Sequence, residues 1–316
     1  MVSAKPQNSA LIAALQWHID QDCAHPWAHQ PQDYRENKNS NQENANQIAH
    51  SGKDTTEHLD KTDNSSRAFS LESPPEPEKH SDPAPEGTAR ATLEALELAN
   101  SAGSLEELSE AISAFDGLMV KNTATHMVFS DGLPGARVMI IGEAPGAEED
   151  KEARPFVGSS GKLLDKMLSY IRLSRHSNEL GNELGNELDN ELGNKLKNAV
   201  YISNVLNWRP PGNRTPTPSE IEIARPFIEK HIALAGPEIL LLCGGTATKS
   251  LLGGDEGITK RRGCWSEYRP SKINYDGPAI TTLPVFHPSY LLKNPAQKKL
   301  AWMDLLNLRT RLDKKA

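Results

Sequence analysis

Four times between residues 138 and 292, an apolar run of strand length gives way to a polar loop and then to a helix-patterned stretch. The runs are Val138–Ile141, Val200–Val205, Glu238–Cys243 and Ile280–Phe286. They are continuous rather than alternating, as expected of strands covered on both faces in a parallel sheet. This succession predicts an α/β fold, a three-layer α/β/α arrangement around a central four-stranded, mainly parallel sheet. Helices are expected over 89–100, from the Ser104–Glu107 capping box to about Phe115, over 162–173, 220–234 (capped by Ser219 with Glu222), 247–252 and 296–312. Met127–Gly132 reads as a short strand and turn.

Parallel strands bring their carboxyl ends to one rim, so distant loops can meet there. The first run ends in Gly142-Glu143-Ala144-Pro145-Gly146 and an acidic loop with Glu148, Glu149 and Asp150. The second ends at Asn204 and the fourth at His287-Pro288-Ser289-Tyr290-Leu291. Small residues in Arg154-Pro155-Phe156-Val157-Gly158-Ser159-Ser160-Gly161 could let backbone amides approach an anion, although the Gly-Lys-Ser/Thr ending of a nucleotide-binding loop is missing. Basic side chains cluster in the Pro-rich loop with Arg209 and Arg214 and in the turn Lys260-Arg261-Arg262.

The hydrophobic content of 37% is low for 316 residues and points to a stretch without a packed core. Residues 1–27 hold a short amphipathic helix at 10–20, and 28–88 read as a disordered acidic and polar linker. Residues 89–316 form the domain. Variants of Asn-Glu-Leu-Gly over 178–198 read as a low-complexity insertion in a surface loop. Residues 1–110 carry 8 Lys/Arg against 19 Asp/Glu, and the remainder 27 against 23. The mildly basic domain is thus compatible with a nucleic-acid partner. Cys23, Cys243 and Cys264 are too far apart for a metal-ligand pair and read as reduced thiols. Without a membrane-length apolar run or signal peptide, the expectation is a cytoplasmic protein that binds no membrane.

Glu143 with Glu149-Asp150, Arg154-Pro155-Phe156-Val157-Gly158, Asn204-Val205, Arg209 through Pro216 and His287-Pro288-Ser289-Tyr290 resemble, in order, the motifs of family 4 uracil-DNA glycosylases. The resemblance covers residues 115–310. It implies hydrolysis of the N-glycosidic bond of uracil in DNA by base flipping and water attack, leaving an abasic site. It implies that Gly142, Phe156 and Asn204 bind uracil, Phe156 by stacking and Asn204 by hydrogen bonds. Glu143, Glu149 and His287 are the implied catalytic residues. His287 donates to the uracil O2, and the two glutamates share water activation and stabilisation of an oxocarbenium-like sugar. Which glutamate activates the water stays open, with Glu149 favoured. Arg209, Arg214, Lys260, Arg261, Arg262, Ser289, Tyr290 and Leu291 are DNA-binding candidates, Tyr290 or Leu291 as the wedge. The partner is uracil-containing DNA, and the expected setting is a monomer on a bacterial nucleoid, with the N-terminal segment available to repair proteins.

The chain departs from the family in two respects. Many members hold a four-iron, four-sulfur cluster with four cysteines, whereas Leu118, Trp208 and Ala224 stand at or near three of those positions here. The expectation is no cluster and no other metal, with apolar packing instead. Ala153 also stands where the family usually has Gly, which predicts a tightened loop. A related group traps DNA covalently through a His in an added basic loop. Residues 207–220 contain no His, so turnover is expected. The alternative reading is a non-catalytic protein that binds uracil-containing or single-stranded DNA.

Overall fold

The computed structural model describes residues 86–176, 196 and 198–314. The expectations for the helix at 10–20, for the linker up to residue 85 and for nearly all of the 178–198 repeat lie outside these residues. The domain opens with helix α1 (Glu86–Ser101), which takes the three residues assigned from sequence to the end of the linker. Helix α2 (Leu105–Ala114) follows, capped as expected by the Ser104 side chain, which accepts from the Glu107 N–H. Then come β1 (Asp131–Gly132), β2 (Val138–Gly142), α3 (Ala147–Glu152), α4 (Ser159–Tyr170) and β3 (Val200–Asn204). The remainder is α5 (Pro218–Ala235), β4 (Ile239–Cys243), α6 (Gly245–Leu252), α7 (Ile258–Arg261), β5 (Ser266–Tyr268), β6 (Ile280–Val285), α8 (Pro288–Lys293) and α9 (Lys298–Lys314).

The sheet is six-stranded in the order β1-β3-β2-β4-β6-β5. The four expected strands form its parallel centre, and β1 and β5 add short antiparallel edges. The β1 edge falls at the end of Met127–Gly132, the stretch read as a short strand and turn, whereas β5 was missed because three residues are too few for a periodicity to show. Alternate strand residues feed opposite faces. Ile140, Ile202, Leu241 and Leu283 pack with α4, α8 and α9. Met139, Ile141, Leu240 and Leu242 pack with α5 and α6. A third apolar cluster, between α1, α2 and α5, lies outside the sheet. No described helix is long and apolar enough to cross a membrane.

Two local expectations need correction. The acidic loop after Gly146 is helix α3, because Glu148, Glu149 and Asp150 occupy a first turn, where the helix dipole favours negative charge. Helix α5 is capped by Thr217 with Glu220, not by Ser219 with Glu222, because Pro218 sits in the first turn and sets the start two residues earlier.

Candidate active site

The chain leaves β2 for β3 on one side and then returns to β4 on the other. Such a reversal opens a crevice at the strand carboxyl ends. A cavity of about 220 Å³ lies there, lined by Glu143, Glu149, Phe156, Asn204 and His287 together with residues of the flanking loops. Residues up to 144 positions apart in sequence thus meet at one rim. The walls are pinned by backbone bonds from Val205 to the Gly142 carbonyl (3.0 Å) and from Leu206 to the Glu143 carbonyl (3.1 Å).

Gly142 is dictated by its neighbours. A Cβ there would sit 2.3 Å from the Asn204 Oδ1 and 2.6 Å from the Phe156 ring. Only glycine lets that ring and that amide close over the end of β2. Asn204 is 2% exposed, yet its side chain has no hydrogen-bond partner among the described residues. A buried amide left unpaired is costly unless something in the cavity satisfies it. Phe156 adopts φ +53°, rare for a bulky residue, and its ring lies 5.4 Å from that of His287 at 25°.

His287 caps helix α8, accepting at Nδ1 from the Ser289 N–H (3.2 Å). An accepting Nδ1 leaves the ring proton on Nε2. Burial pushes the His287 pKa down to about 4, against the opposing charge of Glu149, so the ring is neutral near pH 7.

The two glutamates differ sharply. Glu149 Oε1 accepts from Val157 N (3.0 Å) and Gly158 N (2.9 Å), and its Oε2 accepts from Gly146 N (3.1 Å). Its carboxylate is thereby built into the loop carrying Phe156. Glu143 has no side-chain partner among the described residues and faces the cavity. Asp150 is also structural: it accepts from the N–H groups of Thr125 (2.8 Å) and His126 (3.0 Å). Burial opposes its ionisation, but those amides and Arg209 outweigh burial and hold the carboxyl below the ordinary carboxylate range.

The basic candidates scatter. Arg214 lines the cavity mouth and pairs with Glu220 (2.6 Å), while Arg209 Nε donates to Asn213 (2.7 Å). Lys260 and Arg261 belong to α7, away from the lining, and Arg261 donates to the Gly253 carbonyl. Arg262 is committed to the fold, paired with Asp304 and stacked 5.5 Å over Phe286. Leu291 is 0% exposed in the first core cluster and cannot be a wedge; Tyr290 (40%) and Leu292 (43%) protrude from the same helix. Sequence reasoning missed Leu292, and it missed Ser160 and Asn213 in the lining. Ser160 and Asn213 lie within stretches singled out from the sequence, and Leu292 follows one directly.

The chain matches the family model of the uracil DNA glycosylase superfamily over residues 129–308. The type-4 uracil-DNA glycosylase of Sulfurisphaera tokodaii is 34% identical over 210 residues, 65% of this chain and 84% of the relative. That of Thermotoga maritima is 33% identical over 191 residues, 60% of this chain and 84% of the relative. The chain belongs to the type-4 branch of this superfamily.

The three positions that the resemblance links to cluster cysteines converge, but as an apolar plug. Leu118, Trp208 and Ala224 are buried in the third cluster beside Phe115 and Phe227, whose rings meet edge-on at 5.2 Å. Cys243 is buried in a different cluster and Cys264 is exposed. A cubane needs about four thiolates, so the residues present do not fit one. Among the described residues, no group of three or more His, Cys, Asp or Glu could hold a metal ion.

Proposed function

We propose that this protein excises uracil from DNA by hydrolysing its N-glycosidic bond, acting as a monofunctional glycosylase without an iron-sulfur cluster. The observation that carries this reading is Asn204: a buried amide with no hydrogen-bond partner among the described residues, between a ring that can stack on a base and a neutral histidine. An amide presents one donor and one acceptor, which suits O4 and N3–H of uracil; cytosine reverses that pattern. The base reaches the cavity only when flipped out of the duplex. Phe156 stacks on it. As the bond from C1′ to N1 breaks, its electron pair leaves with uracil, and the Nε2–H of His287 stabilises the charge on O2. Water bonds to C1′ and passes its proton to Glu143, whose carboxylate has no partner among the described residues. Glu149 holds the loop carrying Phe156, an assignment opposite to the one favoured from sequence.

Arg209, Arg214, Lys260, Arg261 and Ser289 serve the phosphates in this proposal, with Tyr290 and Leu292 filling the gap left by the base. The enzyme acts as a monomer in the cytoplasm of a bacterial cell, at the nucleoid, and the acidic residues 1–110 are repelled by DNA and available to repair proteins. The test is a single-uracil oligonucleotide followed by alkaline cleavage. Strand breaks confined to uracil are expected. Tight binding with an intact strand would make the protein a reader of uracil instead.

A further inference from the structure

Phe156 combines a left-handed backbone (φ +53°) with a large side chain at the site. Such a conformation costs on the order of 1–3 kcal/mol and persists only where the surroundings impose it. On the amide side, Glu149 holds the next two N–H groups. On the carbonyl side stands Arg175, which no motif singled out. Its Nη1 donates to the Pro155 carbonyl (2.8 Å) and its Nη2 to the Phe156 carbonyl (3.0 Å). The Arg175 side chain is only 2% exposed, and its remaining bonds go to Asp165 (2.8 Å, from Nε) and Asp131 (3.0 Å, from Nη1). Arg154, one residue before Pro155, donates to the same Asp131 oxygen (2.9 Å). Helix α4 presses close as well: a Cβ at Gly161 would lie 1.8 Å from the Phe156 oxygen.

Taking the uracil reading as given, we infer that Arg175 is the positioning residue of the base-stacking platform. Its buried guanidinium grips the Pro155 and Phe156 carbonyls and fixes the height and tilt of the Phe156 ring. A guanidinium offers five donors in a rigid fork, which matches two carbonyls flanked by two carboxylates. Four of its five N–H donors are committed, and burial keeps the guanidinium from reaching a phosphate. It therefore acts through Phe156 and not on DNA.

The test variant is Arg175→Lys, which keeps a charge for Asp131 and Asp165 but cannot hold all four acceptors. A misplacement of about 1 Å costs roughly 100-fold in rate. The expected result is therefore a single-turnover excision rate reduced about 100-fold, weaker inhibition by free uracil, and unchanged affinity for uracil-free duplex. In a Phe156→Ala background the same change should add little, because both act through one ring. Amide exchange at Val157 and Gly158 should quicken without a matching loss of global stability. If Arg175→Lys fails to fold, Asp165→Asn, at a carboxylate 43% exposed, loosens the same guanidinium and should show the same non-additivity at smaller amplitude. Losses that multiply undiminished in the Phe156→Ala background, or an unchanged rate with unchanged exchange, overturn the inference. A wild-type chain that leaves uracil in place sinks the uracil reading instead, and the exchange data still judge the clamp.

Discussion

The two glutamates separate cleanly on substitution. Glu149 accepts three backbone N–H bonds of 2.9–3.1 Å, two on one oxygen and one on the other. Bonds to a charged group contribute about 1.5–3 kcal/mol each. Glu149→Gln keeps one acceptor oxygen, so at least one bond is lost outright, an NH2 group confronts an N–H donor, and the surviving bonds lose their charge. The expected cost is about 2–4 kcal/mol of unfolding free energy. Glu143 has no side-chain bond to lose among the described residues, and Glu143→Gln should change stability by less than about 0.5 kcal/mol. Its effect falls on chemistry, a loss on the order of 10²–10⁴-fold for removal of a general base. Urea unfolding and single-turnover release of uracil, run on both variants, give the comparison. A Glu143→Gln enzyme with near-normal turnover, beside a fully stable and inactive Glu149→Gln enzyme, would refute the reasoning and hand the water to Glu149.

Three further outcomes are expected. Ala153 closes α3 in the left-handed region at φ +55°, so Ala153→Gly should raise unfolding free energy by about 1 kcal/mol in a urea titration. Burial holds His231 at a pKa of about 3 against an ordinary 6.5; it is neutral when folded and protonates only on unfolding, so its stabilisation is complete above pH 6.5 and is lost below it at about 1.4 kcal/mol per pH unit. Replacing His231 with Phe should remove that much slope from stability measured between pH 6.5 and 4.5, and an unchanged slope would count against it. Purified protein should contain no iron and no broad visible absorption, while Trp208→Ala, which opens the apolar plug, should cost about 3–5 kcal/mol in the same unfolding assay.

The division between what sequence disclosed and what it concealed follows a physical line. The parallel centre was legible because continuous runs such as Val138–Gly142 and Ile239–Cys243 are buried at every position, a pattern solvent-facing segments do not produce. The convergence of Glu143, Phe156, Asn204 and His287 was legible because strand-end position is itself a coordinate in a parallel sheet. Hydrogen-bond accounting was not. Nothing local distinguishes Glu149, filled by backbone donors, from Glu143, empty and facing the cavity, because the donors come from Val157 and Gly158 across a loop. The same holds for charge. Arg262 reads as a DNA contact and Arg175 belongs to no motif, yet Asp304 claims one and Asp131, Asp165 and two carbonyls claim the other. Composition locates a charge on the chain, whereas its partners decide whether it meets a ligand or holds the fold. Among the described residues, the Glu143 carboxylate and the Asn204 amide are left without partners in this site, and the saturated groups around them keep them in place.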